Sequence, residues 1–325
     1  MALTRLRQEA ADELRWFIAD EGKDFPAIEW VWRALRTRGK LLADEEGFAW
    51  GLLPLLVCAD AGGDPRQAFP FAVAVECLIA ATDILDDVQD GDSADGLWRA
   101  CGLATATNVA TLLLFLSQLA LGRLVQRGVS GETVAAIVRL FGGAGARACA
   151  GQQRDLDAAR GAEIDEDTYL ATGALKSASL VECACRAGAL LGRGTPEAVD
   201  AYAQFGVNVG MALQINNDVA GASSESADRN DLRTGKRTLP MIFALEHAPA
   251  SSRADLGAIL RPGRREDLCP AEIDRVRQLL AATGALQYAV VVADLYWEHA
   301  MSCLDRAGCG PDSAPRRLVA QMRDA

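Results

Sequence analysis

LIAATDILDDVQDGD, Leu78 to Asp92, is the stretch on which the reading of this chain turns. It closes a long apolar run, Phe69 to Thr82, in which Glu76 is the one charged residue. It then sets carboxylates at Asp83, Asp86, Asp87 and Asp90, offsets of i, i+3, i+4 and i+7 that share one helical face. Like charges at that spacing repel, and carboxylates beside buried apolar surface are costly unless something compensates them. A hard divalent cation does so, because Mg²⁺ takes carboxylate oxygens together with water and substrate phosphates. The competing reading is a helix end that frays into an acidic, solvated loop, helped by Asp92 and Asp95.

A second stretch weighs against the bland alternative. GMALQINNDVAG, Gly210 to Gly221, puts Gln214, Asn217 and Asp218 at i, i+3 and i+4, again on one face of an apolar helix. Two separate apolar helices that each present oxygen ligands from one face make a metal cage. A hydrogen-bonded polar stripe is the alternative for the second helix taken alone.

Composition bounds the rest. The chain has 325 residues, half of them hydrophobic, enough for a substantial core. No linker, low-complexity tract or short-period repeat divides it, so one domain over residues 1–325 is expected. Alanine, leucine and glycine abound while alternating β-branched runs are missing, which reads as all-α. A formal net charge of −11 leaves no basic stripe for a nucleic acid or an anionic membrane surface. The nine cysteines lack framework spacing, and His247 and His299 are the only histidines, so a zinc site is not expected. Reduced thiols of a cytoplasmic protein fit this usage. MALTRLRQEAADELRWF reads as a charged amphipathic helix rather than a signal peptide. Gly102 to Gly122 is uncharged and approaches membrane-spanning length, but its threonines, Asn108, Ser117 and Gln118 favour a buried central bundle helix over a spanning one.

Helices are expected over about Ala2–Asp20, Ala27–Arg38 and Glu45–Asp60, the last stopped by Gly62-Gly63-Asp64-Pro65. Pro70 then opens the helix that ends in the aspartates. Further helices are expected over Cys101–Gln126, Ser130–Arg160, with an unexpectedly polar GQQRDLDAAR near its end, and Asp165–Gly192. Thr195–Val219 and LPMIFALEH follow, then Glu272–Leu280 and Leu286–Ala307 before a polar tail. Lys176 is embedded among small apolar residues, ALKSASLVECACRAGAL, where it either snorkels to solvent or awaits an anion.

DDVQD at Asp86 to Asp90, paired with QINND and the downstream DLRTGKRTLP of Asp231 to Pro240, resembles the all-trans polyprenyl diphosphate synthase family. More narrowly it is similar to a divergent branch that includes the ComX-modifying prenyltransferases of bacilli. The likeness runs from RGK at Arg38 to about Ala307. It implies an all-α isoprenoid synthase bundle around a central apolar cavity, a homodimer, and Mg²⁺-assisted ionisation of an allylic prenyl diphosphate. On matching positions it implies that Asp86, Asp87 and Asp90 bind the metal and that Gln214, Asn217 and Asp218 begin the second motif. Lys176 and Lys236 would hold diphosphate oxygens. Ala81 and Thr82, small residues five and four positions before Asp86, would leave room for a farnesyl chain or longer.

The chain also departs from that pattern. The isopentenyl diphosphate site of the family keeps Gly39 and Lys40 here, but Leu41, Ala43 and Asp44 stand where further charges and a proline belong. SADGLWRACG replaces the paired arginines after the first motif, leaving a displaced Arg99. Asn217, Asp218 and Glu225 also fit the terpene-cyclase metal spacing, with Gly221 in place of its serine. The expectation is therefore prenyl transfer to an acceptor that need not be isopentenyl diphosphate. Terpene cyclisation and a non-catalytic subunit of a prenyl synthase are the rivals.

Overall fold

The structure is a computed structural model that describes residues 3–44, 48–91, 96–159, 164–223, 236–259 and 268–323. Among them every regular element is helical. In chain order these are α1 (Leu3–Glu21), α2 (Ile28–Ala34), α3 (Leu52–Asp60), α4 (Phe69–Asp90), α5 (Leu97–Cys101), α6 (Leu103–Gly122) and α7 (Gly131–Ala159). There follow α8 (Glu166–Gly173), a π-helical turn Ala174–Ala178, α9 (Ser179–Leu191), α10 (Pro196–Ser223) and α11 (Leu239–His247). The chain ends with α12 (Ala250–Ile259), α13 (Pro270–Thr283), α14 (Ala285–Arg306) and α15 (Ala314–Arg323).

The contacts divide the chain into two compact units. The first comprises residues 1–144, 181–206 and 300–325; the second comprises 145–180 and 207–299. In the first, α4 is the hub. From Phe69 to Ala81 it is buried on every side, as a run of apolar residues that long requires. It ends at Gly91, whose φ of 70° closes the helix in the left-handed region that a side chain would resist. Glu76, the lone charge in the run, is fully buried, and its carboxylate accepts the N–H groups of Leu41 (2.8 Å) and Gly51 (2.6 Å). A buried acid thereby staples the backbone at Leu41 and at Gly51 to the hub helix.

Packed along α4, α6 buries Ala106, Val109, Ala110, Leu113, Leu116, Ser117, Ala120 and Leu121. Its other side is exposed, with Leu103 at 57%, Phe115 at 66% and Leu119 at 50%. The expectation of a helix buried all round is thus corrected: small residues on one stripe let α6 lie close on α4, and only that stripe is covered. Three helical stretches, Pro65–Asp90, Leu103–Arg127 and Gly131–Ala159, are long and apolar enough to cross a membrane, and the first is 83% buried within the protein.

The second unit has two apolar clusters. Met241, Ala244, Leu256, Val276, Leu279 and Leu280 form one; Tyr169, Ile215, Leu239, Ile242, Ala289 and Ala293 form the other. Several boundaries differ from the sequence expectation. The Asp165–Gly192 segment is interrupted by the π turn, and α2 stops at Ala34, ahead of a turn in which Gly39 has φ 80°. The polar tail holds a helix, α15, whose Leu318, Val319 and Met322 are buried; three apolar positions among arginines are too few to stand out by periodicity.

Candidate active site

On the first unit, the last two turns of α4 carry Asp86, Asp87 and Asp90, all half-buried. Asp83, one turn earlier, is half-exposed and already matched. It accepts from Lys40 Nζ at 2.5 Å, and the lysine side chain is 2% exposed. Ala81 is fully buried, and Thr82 turns its hydroxyl back onto the Ile79 carbonyl at 3.0 Å.

On the second unit a small cleft of about 30 Å³ is lined by Asp155, Tyr169, Lys176, Gln214, Asp218, Lys236 and Thr238, among others. Lys176 lies in the π turn, a one-residue widening of the helix that recurs at functional sites. Its ammonium donates to Asp155 Oδ2 at 2.8 Å, while Lys236 Nζ stands 3.9 Å from the same oxygen. Burial would raise the Asp155 pKa, but the charges of Lys236 and Lys176 and the Lys176 hydrogen bond outweigh it and hold the carboxyl below its ordinary value. Ser177, next in the turn, donates to Gln214 Oε1 at 2.5 Å.

Asp218 is the buried carboxylate of this cleft. Tyr169 donates its hydroxyl to Oδ2 at 2.6 Å, Gln214 Nε2 donates at 3.1 Å, and the Leu239 N–H at the start of α11 donates at 3.3 Å. Burial pushes its pKa up against the pull of Tyr169, Lys236, Leu239 and Gln214. The Thr238 hydroxyl is buried and has no hydrogen-bond partner among the described residues. An orphaned buried hydroxyl beside two ammoniums is a donor set suited to an anion.

The structure therefore brings Lys176, Lys236, Gln214 and Asp218 into one cleft. Asn217, three residues from Gln214, is exposed, because Gln214 and Asp218 four apart define the inward face. Glu225 lies outside the described residues. Asp155, Tyr169 and Thr238 had no role assigned from the sequence. The polarity of GQQRDLDAAR marked the neighbourhood of Asp155, and Thr238 sits inside GKRTLP, but nothing local singles out Tyr169.

Among the described residues no three His, Cys, Asp or Glu side chains form a ready-made metal cage. The donors on α4 are nonetheless of the right kind. Asp86 and Asp90 are four apart on one face, and a hard cation held by one or two carboxylates keeps positions open for water and phosphate. The residues fit Mg²⁺ bound together with a diphosphate rather than in a closed protein cage.

The profile of the polyprenyl synthetase family matches residues 51–294. The short chain isoprenyl diphosphate synthase of Methanothermobacter thermautotrophicus is 28% identical over 280 residues, covering 84% of this chain and 83% of that protein. The polyprenyl synthase of Caulobacter crescentus CB15, solved with calcium and isoprenyl diphosphate, superposes with a TM-score of 0.81 at 23% identity, over 99% of this chain and 96% of that one. The geranylgeranyl pyrophosphate synthase of Corynebacterium glutamicum, solved with isoprenyl diphosphate and magnesium, gives 0.81 at 19% identity, over 100% and 99% of the two chains. At those identities the two structures speak for the fold, the isoprenoid synthase helical bundle. With three quarters of the chain inside the family profile, this protein belongs to the polyprenyl synthetase family.

Proposed function

We propose that this protein is a Mg²⁺-dependent prenyltransferase of isoprenoid biosynthesis that ionises an allylic prenyl diphosphate. The observation that carries this is the convergence of Lys176 and Lys236 on one carboxylate, beside the orphaned Thr238 hydroxyl. A departing diphosphate is a concentrated polyanion, and its release is speeded by positive charge that is in place beforehand. The two ammoniums face one point of the cleft, where a phosphate oxygen would take the place of the Asp155 carboxylate. Asp86, Asp87 and Asp90 would hold the divalent cation, which supplies Lewis-acid neutralisation of the diphosphate. Tyr169 and Gln214 fix the Asp218 carboxylate. The allylic cation left behind needs an apolar wall that excludes water, and α4, with Ala81 and Thr82 one turn before the aspartates, offers small apolar surface for it.

One observation favours an acceptor other than isopentenyl diphosphate. Lys40 of the RGKLLAD segment is already paired with Asp83, Leu41 and Ala43 carry no charge, and Asp44 adds a negative one. The protein is further proposed to act in the cytoplasm as a homodimer. The exposed side of α6 mixes Leu103, Phe115 and Leu119 with Thr107, Thr111 and Gln118. The Thr107 and Thr111 hydroxyls bond back to their own helix, but lipid would penalise the Gln118 amide, whereas a second copy of the same face accommodates both kinds.

The test is diphosphate release from geranyl, farnesyl and geranylgeranyl diphosphate with Mg²⁺, with and without isopentenyl diphosphate, followed by analysis of the organic extract. Release that requires isopentenyl diphosphate and gives a longer prenyl diphosphate establishes chain elongation. Release without it, yielding a hydrocarbon or cyclic alcohol, makes the protein a terpene synthase. Absence of release from all three overturns the proposal and leaves the non-catalytic subunit, whereas turnover unchanged in Asp86→Ala/Asp87→Ala overturns the metal assignment.

A further inference from the structure

We infer that Asp155 is a resident counter-ion that occupies the anion site when diphosphate is absent and competes with diphosphate for Lys176 and Lys236. The inference rests on the reading of the cleft as a diphosphate site and goes beyond it by giving a role to a carboxylate that an anion site would not otherwise contain. Asp155 Oδ2 is 2.8 Å from Lys176 Nζ and 3.9 Å from Lys236 Nζ, so a single oxygen faces both ammoniums. Its placement is built in. A Cβ on Gly151 would lie 2.3 Å from the Lys176 backbone nitrogen and 2.6 Å from its Cα, so α7 and the π turn touch backbone to backbone there. Asp155 follows Gly151 by four residues, one turn along the same face. Close approach at Gly151 thus aims the carboxylate at the lysine.

Two ammoniums in a partly buried cleft repel each other, and a carboxylate between them relieves that repulsion in the anion-free protein. The same carboxylate repels an incoming phosphate and draws the lysines away from a departing one. Asp155 is then a positioning residue: it weakens diphosphate binding and speeds product release. A carboxylate that merely braced the lysines would act in the opposite sense, since its removal would loosen the site and weaken the anion.

The discriminating measurement is calorimetric binding of inorganic diphosphate, without divalent cation, to the wild type and to Asp155→Asn. The expected result is binding about tenfold tighter in the variant, because removing a like charge a few ångströms from the anion is worth that much even in partly screened surroundings. The gain in melting temperature on adding diphosphate should be larger in the variant, and steady-state turnover should show KM and kcat falling together. Should Asp155→Asn not fold, the same comparison is made between Lys236→Gln and Lys236→Gln/Asp155→Asn, where one ammonium remains. There too, loss of the carboxylate should tighten diphosphate about tenfold. Equal or weaker binding in the variant overturns the counter-ion role while leaving the diphosphate site standing. A wild type that binds no diphosphate overturns both.

Discussion

Gly151 and Lys176, twenty-five positions apart in sequence, meet backbone to backbone, with a Cβ at 151 falling 2.3 Å from the lysine nitrogen. No flexible side-chain end can yield there, so Gly151→Ala must push α7 off the π turn. The expected cost is about 1–3 kcal/mol by chemical denaturation. Gly142→Ala on the same helix meets nothing within 4 Å. That control should be neutral or stabilising by about 0.5–1 kcal/mol.

Tyr169→Phe removes one of the three donors to Asp218 and leaves the buried carboxylate with Gln214 and the Leu239 N–H. A loss of about 1–3 kcal/mol is expected, read as a lower midpoint in urea with an unchanged m-value. An unchanged midpoint would show that Asp218 does not depend on the phenol.

Lys40 and Asp83 test the acceptor side. In Asp83→Ala the buried ammonium loses its carboxylate, at a cost of about 1–3 kcal/mol, toward the lower end because the Asp83 side chain is 55% exposed. The charge so released is available to an anion. If the acceptor side is closed to diphosphates because Lys40 is already matched, isopentenyl diphosphate should bind the variant more tightly than the wild type, as isothermal titration would report.

Glu76 gives a pH dependence whose sign follows from its surroundings. Burial raises its pKa from 4.5 to about 7, against the Leu41 and Gly51 N–H bonds and the nearby charges of Lys40 and Arg7. Between those two values the folded protein holds a proton that the unfolded chain has lost, so stability falls as pH rises through the window and the full cost is present above it. At about 1.4 kcal/mol per pKa unit the upper figure is roughly 3 kcal/mol. Glu76→Gln, which cannot titrate, should show a flatter stability profile between pH 5 and 8, with the two curves nearest at the acid end, where Glu76 is protonated, and separating as pH rises; parallel curves would count against the buried ionisation.

Phe115, 66% exposed on the outer side of α6, is the natural place to disturb self-association. Phe115→Asp should convert a dimer to monomers in sedimentation velocity while the far-ultraviolet circular dichroism stays that of the wild type, since the residue contributes little to its own unit.

The sequence alone determined the class of fold and the two motif helices. A charge-free run that ends in aspartates at helical spacing, and a Gln-x-x-Asn-Asp helix, are local patterns whose periodicity is visible without coordinates. It also exposed the degraded RGKLLAD segment, because missing charges can be read from composition. Which oxygen meets which nitrogen was decided by tertiary structure. Asp83 reads as a fourth member of the acidic face but is neutralised by Lys40, forty-three residues earlier. Asp155 read as mere polarity until the bare backbone at Gly151 brought it to Lys176. Tyr169 carried no local signal at all, since a phenol's role depends on the carboxylate it reaches, here forty-nine residues away. Periodicity assigns residues to a helical face at short range, whereas charge pairing in a helical bundle is set by how closely backbones approach, and that depends on residues remote in the chain.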